Sequence, residues 1–342
     1  MKPKVYFQYG FWESINSNLT REGIRSMLNI SDALSDSLVI TDINEDMIKE
    51  DLFLKALIKK GNYIRCDKKY IDKKLNTLKL EEDTIEESEE LCATYILDKT
   101  SSECAMLEDD LGIVTLCPGT LQNRDYLFKG DGIDDFDKSH RYNLRYLTYK
   151  EKLNKPCNSL IIIDPYILSK KPVRNVNTNT TMVPGISNNL ESLLDALLPH
   201  KLKLKFHLTI ISTLETPNDI KLVYEKLKKC VKKIRPELDF ILGLFYTAKG
   251  YSCWVESFHS RHLISNSYII DSEDGFDLFN EKGYLTKNNP TISIVFPRIY
   301  GNSRKDYTKY EKWIKSSKKH VEESNEQSFS GSKINRLFNL FK

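Results

Sequence analysis

The spacing of apolar residues along the first half of the chain changes repeatedly between the patterns of strands and of helices. The N-terminal KVYFQYGFW segment is β-prone, and an apolar run at Ser37–Ile43 is typical of a buried strand. Helical spacing follows up to Gly61, with Asn44 or Asp46 as its N-cap. A strand at Cys92–Asp98, a short capped helix and a strand in IVTLCPG come next. Strand, helix and strand with short connections predict a parallel βαβ unit.

The second half repeats this alternation and places an Asp-Pro pair at the end of an apolar run. The SLIIIDPYIL segment, Ser159–Leu168, predicts a buried strand that brings the carboxylate of Asp164 to its C-terminal end. A polar loop is predicted at Ser169–Gly185. The patterns then predict a helix, a strand, a basic amphipathic helix and two strands: Ser187–Pro199, Lys201–Thr213, Pro217–Pro236, Leu238–Thr247 and Pro290–Pro297.

These patterns predict an α/β protein in three parts. An N-terminal βαβ-type domain of unknown role is expected at 1–152, a second α/β domain at 153–315 and a tail at 316–342. The first boundary follows the Pro, Asn and Ser residues of KLNKPCNS. The polar composition after Val321 predicts a flexible tail that ends in an apolar tip.

Composition and charge narrow the classes of function. Of 342 residues, 40% are apolar and 29% charged, which is typical of a globular protein, and a net charge of +3 requires any nucleic-acid surface to be local. Seven cysteines without a CxxC pair, no signal peptide and no long apolar stretch predict a cytoplasmic protein with reduced thiols. Neither a metal nor another cofactor is expected, and Lys129–His140, although rich in Gly and Asp, lacks EF-hand spacing and is interpreted as a solvated loop.

Candidate chemistry lies in the segment FHSRHLISNSYIIDSEDGFDLF. His259, Arg261 and Asn266 stand at offsets 0, +2 and +7, where phosphodiesterases of the phospholipase D type have His, Lys and Asp. Histidine can attack phosphorus and arginine can bind phosphate through two parallel hydrogen bonds, but asparagine lacks the charge that stabilises an imidazolium. A second such motif is missing from the sequence, so turnover would require two chains at a two-fold axis. The alternative is an ordinary half-buried pair on a strand.

The Asp-Pro-Tyr and His-containing segments together resemble the phospholipase D-like C-terminal domain of MIT-domain-containing proteins, over about residues 159–297. The matching positions are Asp164, Pro165, Tyr166, His259, Arg261, Asn266, Gly275, Asp277 and Phe279. Ser260 departs from the family's His-Asp-Arg stretch, and no MIT helical hairpin precedes the domain. The resemblance implies a phospholipase D-like α/β sandwich in which Asp164, Tyr166, Gly275 and Asp277 support the site. Asp164 alternatively caps a turn or pairs with Arg261.

Two further surfaces are candidates for binding partners. The basic helix carries Lys228, Lys229, Lys232, Lys233 and Arg235, which form either a solvated face or a surface for nucleic acid or anionic lipid. The apolar tip contains Leu337, Phe338, Leu340 and Phe341 and resembles the peptide that binds bacterial sliding clamps. It predicts a protein partner, docking on the body of the protein, or contact with a membrane.

The main functional hypothesis is recognition of phosphate or nucleic acid within a bacterial multi-protein system. Analogy with stand-alone relatives in phage-defence proteins favours a role in antiviral defence. One alternative is an enzyme, a homodimeric and metal-independent phosphodiesterase or nuclease with His259 as nucleophile. The other is a module that binds anionic lipid headgroups.

Overall fold

Two β-sheets with helices packed against them form the computed structural model of the chain, and the predicted α/β class is confirmed. The structure describes residues 2–17, 27–28, 30–31, 34, 37–52, 54–55, 62–78, 85–121, 131–133, 156–168, 170–173, 181–184, 186, 188–213, 219–247, 261–272, 275–276, 292–295 and 304–341.

The N-terminal sheet is entirely parallel. Its strands are β1 Lys4–Phe7, β2 Leu38–Thr41, β3 Asn62–Arg65, β4 Thr94–Ile96 and β5 Val114–Leu116. The helices of this half whose bounds the structure describes include α1 Tyr9–Asn16, α2 Glu45–Glu50, α3 Tyr70–Thr77, α4 Ile85–Leu91 and α5 Ser101–Leu111. The strand order is β3-β2-β1-β4-β5, with every neighbouring pair parallel. The predicted parallel βαβ unit is therefore confirmed, whereas β3 and α3 were not predicted.

Short-range hydrogen bonds explain where the helices begin and end. Asn44 Oδ1 accepts from the backbone N–H three residues on, which confirms Asn44 as the N-cap of α2. Asp51 is extended and stops α2 well before the predicted end of that helix. Thr100 and Glu103 form a capping box at the start of α5, and Gly112 ends it in the left-handed conformation.

The second sheet is mixed and larger. The strands of this half are β6 Asp131–Ile133, β7 Ser159–Ile163, β8 Lys170–Val173, β9 Thr181–Pro184, β10 Phe206–Ser212, β11 Phe240–Tyr246, β12 Arg261–Ser265, β13 Ile269–Ser272, β14 Ile292–Val295 and β15 Phe329–Gly331. The helices are α6 Asn188–Leu197, α7 Ile220–Ile234 and α8 Arg304–Glu323. Eight strands follow the order β15-β11-β10-β7-β12-β13-β14-β6, while β8 and β9 form a separate hairpin.

Most predicted elements of this half are confirmed, with two differences. The segment Ser169–Gly185 contains the β8–β9 hairpin instead of a loop alone. The segment Lys129–His140 contains β6, which joins the second sheet by pairing with β14 although it precedes residue 152. Polar composition misled both predictions, because a short strand at a sheet edge does not need the apolar pattern of a buried strand.

The order of strands changes direction at β7. From β7 the chain passes through α6 to β10 and through α7 to β11, all parallel and on one side of β7. It then returns to the other side of β7 as β12, which is antiparallel. The carboxyl end of β7 therefore lies at a reversal of strand order, where open α/β sheets commonly bind ligands.

The last residues of the chain pack on the body, so the predicted flexible tail is wrong, whereas docking of the apolar tip on the body, one of the predicted alternatives, is confirmed. β15 pairs with β11, and residues 336–339 form a 3-10 turn. Asn335 Oδ1 caps this turn at Leu337 N, and its amide nitrogen donates to Leu160 O. The apolar tip residues are all buried: Leu337, Phe338, Leu340 and Phe341. The polar composition suggested disorder. In the structure, the Asn335 side chain forms hydrogen bonds with backbone groups, and apolar residues from elsewhere in the chain cover the tip.

The close approach of β15 to β11 requires glycine at position 331. Gly331 has φ 95, and a Cβ there would collide with Leu242 O and the ring of Tyr224. We expect Gly331→Ala to lower the free energy of unfolding in urea by about 1–3 kcal/mol or more, because neither the conformation nor the space suits a side chain. Gly119→Ala is the matched control, since its Cβ would meet only the rotatable Ser101 side chain. Equal stability of the two variants would contradict this packing.

Candidate functional site

Four of the predicted site residues come together at the carboxyl end of β7. Asp164 directly follows β7. Arg261 is the first residue of β12, the strand that pairs with β7. A Cβ on Gly275 would lie 3.2 Å from Asp164 Oδ2 and 3.3 Å from Arg261 Nε, so the backbone at this glycine passes close to both side chains. Arg261 Cζ lies 5.4 Å from the centre of the Tyr166 ring. We call Asp164, Tyr166, Arg261 and Gly275 the Arg261 edge.

Asp164 connects the two loops of this edge. Its carboxylate is fully buried, and it accepts hydrogen bonds of 2.8 Å from Tyr166 N and of 2.8 Å from Phe276 N. The first bond caps the turn after β7, which is one of the structural roles left open by the sequence. The bond from Phe276 N holds the backbone directly after Gly275. Gly275 itself has φ 88, a conformation that glycine adopts readily. Asp164 therefore positions the residues around it.

Arg261 and Tyr166 differ sharply in exposure. Arg261 is only 7% exposed, whereas Tyr166 is 51% exposed at the surface of the edge. Arginine keeps its charge at any physiological pH, and its planar group can form two parallel hydrogen bonds to a phosphate. The edge therefore combines a recessed, permanent cation with an accessible aromatic ring.

Asn266, predicted as the third residue of the motif, serves a different purpose. It is 2% exposed; Oδ1 accepts from Asn158 N at 2.8 Å and Nδ2 donates to Gly112 O at 2.8 Å. The structure therefore does not bring Asn266 together with Arg261, and contact of Asn266 with a ligand stays a prediction. The physical reason is that β12 is extended, so five residues separate the two positions by roughly 16 Å along the strand. Asn266 instead joins the second sheet to the end of α5.

Some predicted residues lie outside the part of the chain that the structure describes. These are His259, Ser260, Asp277 and Phe279. The contribution of His259 therefore stays a prediction. Its neighbour in the motif, Arg261, is described, as are Asp164, Tyr166 and Gly275.

A histidine that the sequence analysis did not consider lies on the other face of β12. His262 pairs across the hairpin with Asp271, and Nδ1 lies 3.0 Å from Asp271 Oδ1. The imidazole stacks on Trp313 of α8, with ring centres 3.7 Å apart. Because successive side chains of a strand point to opposite faces, this cluster is separate from Arg261. Only the register of the β12–β13 hairpin, which the sequence did not give, would have predicted it.

The basic helix α7 presents most of its predicted cations to solvent, but at a distance from the Arg261 edge. Lys228, Lys229, Lys232 and Lys233 are exposed. Arg235 is buried and donates to Asp195 Oδ1 and Leu198 O, so its assignment to a basic surface is wrong. α7 starts near the carboxyl ends of the strands and runs back toward their amino ends. Measured along the helix from Ile220, Lys228 lies about 12 Å and Lys233 about 20 Å away. The two basic regions are therefore separate.

Four of the thiols that the structure describes are poorly suited to nucleophilic chemistry. Burial raises the pKa of Cys66 and Cys230 to about 11, and the pKa of Cys104 and Cys157 to about 12. Thiolates are the reactive form, so these four cysteines are inert near neutral pH.

The described residues contain neither a candidate metal site nor a helix that could span a membrane. Within those ranges, no three His, Cys, Asp or Glu side chains are grouped so that they could hold a metal ion. None of the helices in the same ranges has the length and apolar character needed to cross a bilayer.

Comparisons with protein-family models, with curated proteins and with solved structures found no match for this chain. The resemblance to a phospholipase D-like domain stays a prediction.

Proposed function

We propose that the Arg261 edge binds a phosphate group and that the protein recognises phosphorylated ligands without cleaving them. The observation that carries this proposal is the convergence of Asp164, Tyr166, Arg261 and Gly275 at one end of β7. Two distant stretches of sequence meet there, beside the reversal of strand order. Ligands of open α/β sheets bind outside the carboxyl ends of strands at such reversals.

Arg261 is the group that would contact the phosphate. Its position is set by β12, by the Tyr166 ring and by the closely passing backbone at Gly275. A charged donor in a largely buried setting forms stronger hydrogen bonds than one in water. The guanidinium would thus form paired bonds to two phosphate oxygens with little loss of side-chain freedom.

Binding is favoured over turnover because the expected catalytic set is incomplete. Asn266 is bonded between Asn158 and Gly112, and so is unavailable to orient a histidine at the edge. Two of the histidines that the structure describes are bonded away from the Arg261 edge: His207 Nδ1 accepts from Arg336 N, and His262 faces Asp271. Recognition within a multi-protein antiviral system in the cytoplasm is part of the proposal and is supported by analogy alone.

The test compares wild-type protein with Arg261→Lys by calorimetric titration of dimethyl phosphate and inorganic phosphate in EDTA. Lysine keeps the charge but loses the paired geometry, and a hydrogen bond to a charged group contributes about 1.5–3 kcal/mol. We therefore expect affinity to fall about 10- to 150-fold in Arg261→Lys. Lys228→Met, an exposed change on α7, should leave binding intact.

Three outcomes would overturn the proposal. Wild-type protein that binds neither phosphate would exclude a phosphate site, and equal affinity in Arg261→Lys would exclude Arg261 as its ligand. Cleavage of labelled DNA or RNA in EDTA, lost in His259→Ala, would show an enzyme with a histidine nucleophile instead. Thermal unfolding of each variant checks that lost binding is not lost folding.

A further inference from the structure

We infer that the ligand of the Arg261 edge is a nucleotide, whose base stacks on Tyr166 while Arg261 contacts its phosphate. This inference rests on the proposed phosphate site and adds the chemical class of the ligand. The observation behind it is an exposed aromatic ring, on a hydrogen-bonded turn, next to a recessed cation.

The turn that carries Tyr166 is held from both sides. Tyr166 N donates to Asp164 Oδ1 at 2.8 Å, and Thr213 donates to Pro165 O through both its backbone N–H and its hydroxyl group. Pro165 also fixes its own backbone conformation. The backbone that carries the aromatic side chain is therefore already fixed, so no backbone ordering would be needed when a ligand stacks on the ring.

The ring of Tyr166 has one face near Arg261 and a large part of its surface in solvent. Arg261 Cζ is 5.4 Å from the ring centre, within the range of a cation–π contact. Tyr166 as a whole is half exposed, and we place the base of the ligand on the other face of the ring, opposite Arg261. A base that stacks on this other face places its sugar and phosphate at the ring's edge, within reach of the guanidinium.

Other phosphorylated ligands would contact only one of the two groups, Arg261 or the Tyr166 ring, or neither. Inorganic phosphate would contact Arg261 but leave the Tyr166 ring unused. A bilayer surface is attracted by exposed cations, whereas Arg261 is 93% covered and the exposed lysines of α7 lie toward the opposite end of the sheet. Bases in a duplex are already stacked on each other, so a free nucleotide or a single strand fits best.

The experiment titrates wild-type, Tyr166→Leu and Tyr166→Phe proteins with AMP, ribose 5-phosphate and an oligo(dA) strand, and measures their flotation with phosphatidylserine vesicles. Base stacking on an aromatic side chain contributes about 1–3 kcal/mol, so AMP should bind Tyr166→Leu about 5- to 150-fold more weakly. Tyr166→Phe keeps the ring and should retain most of the affinity. Ribose 5-phosphate lacks the base, so all three proteins should bind it equally and more weakly than wild type binds AMP.

The outcomes separate this inference from the phosphate site itself. If ribose 5-phosphate binds as tightly as AMP and Tyr166→Leu has no effect, a phosphate site exists and the nucleotide inference is overturned. If none of the phosphates binds, the proposed function fails with it. Tyr166-dependent flotation with phosphatidylserine vesicles but no AMP binding would overturn the inference in favour of a lipid surface. Tyr166-dependent binding of oligo(dA) or of AMP supports the nucleotide inference. The probe that binds more tightly shows whether the ligand is a single strand or a free nucleotide.

Discussion

Replacing Arg336 by methionine is expected to lower the free energy of unfolding by about 3–5 kcal/mol. Arg336 is 1% exposed although it lies six residues from the C-terminus. Its guanidinium donates to Asn158 O at 3.0 Å, to Ser159 Oγ at 3.2 Å and to Lys205 O at 3.2 Å. Methionine fills a similar volume but leaves these buried acceptors without their donors, which is the costly change.

Urea denaturation of Arg336→Met beside Lys228→Met measures this effect. Lys228 is exposed on α7, so the same substitution type there should change stability by less than about 0.5 kcal/mol. Arg336→Lys should be intermediate, because a single ammonium group cannot reach all three acceptors. A stable Arg336→Met protein would mean that the C-terminal segment contributes little, as the sequence composition had suggested.

Introducing aspartate at position 266 is expected to destabilise the protein without creating activity. The carboxylate would keep the acceptor that faces Asn158 N but would turn a second oxygen toward the Gly112 carbonyl, in place of the amide donor. A buried charge facing a carbonyl oxygen is unfavourable, and we expect a loss of about 2–4 kcal/mol at neutral pH. Asn62→Asp, on the exposed strand β3, is the matched control.

The loss should depend on pH in one direction. Burial and the Gly112 carbonyl would raise the folded-state pKa of the new carboxyl group above its unfolded value of about 3.9. The variant therefore loses stability as the pH rises through this window, and recovers it when acid protonates the group and restores a donor. Urea denaturation at pH 5 and pH 8, each relative to wild type, measures the effect. Unchanged stability together with new phosphodiesterase activity would return Asn266 to the active site.

The sequence predicted those parts of the fold that depend on short-range signals. Apolar runs predicted the buried strand Ser159–Ile163, and a short capped helix was predicted in the region where α5 lies. Asn44 was found because its side chain bonds within its own turn. Such features are encoded within a few residues, so an alternation of strands and helices, and with it the α/β class, could be predicted.

Features that depend on long-range contacts could not be predicted in the same way. The burial of Leu337 and Phe338 requires a surface formed by other elements, and polar composition gave the opposite impression. Asn266 matched a motif offset, but the extended course of β12 carries it away from Arg261. In contrast, the meeting of Asp164 with Gly275 was implied by two separate motifs, and the structure brings these residues together.

The central claim, that Arg261 contacts a phosphate, is tested most directly by NMR of arginine side chains labelled with nitrogen-15. The Nε–H resonance of Arg261 is assigned by its loss in Arg261→Lys, and AMP is then added to the wild-type protein in EDTA. We expect a saturable shift of this resonance at AMP concentrations that also saturate calorimetric binding. An Arg261 resonance that stays in place while AMP binds, or the absence of any binding, would contradict it.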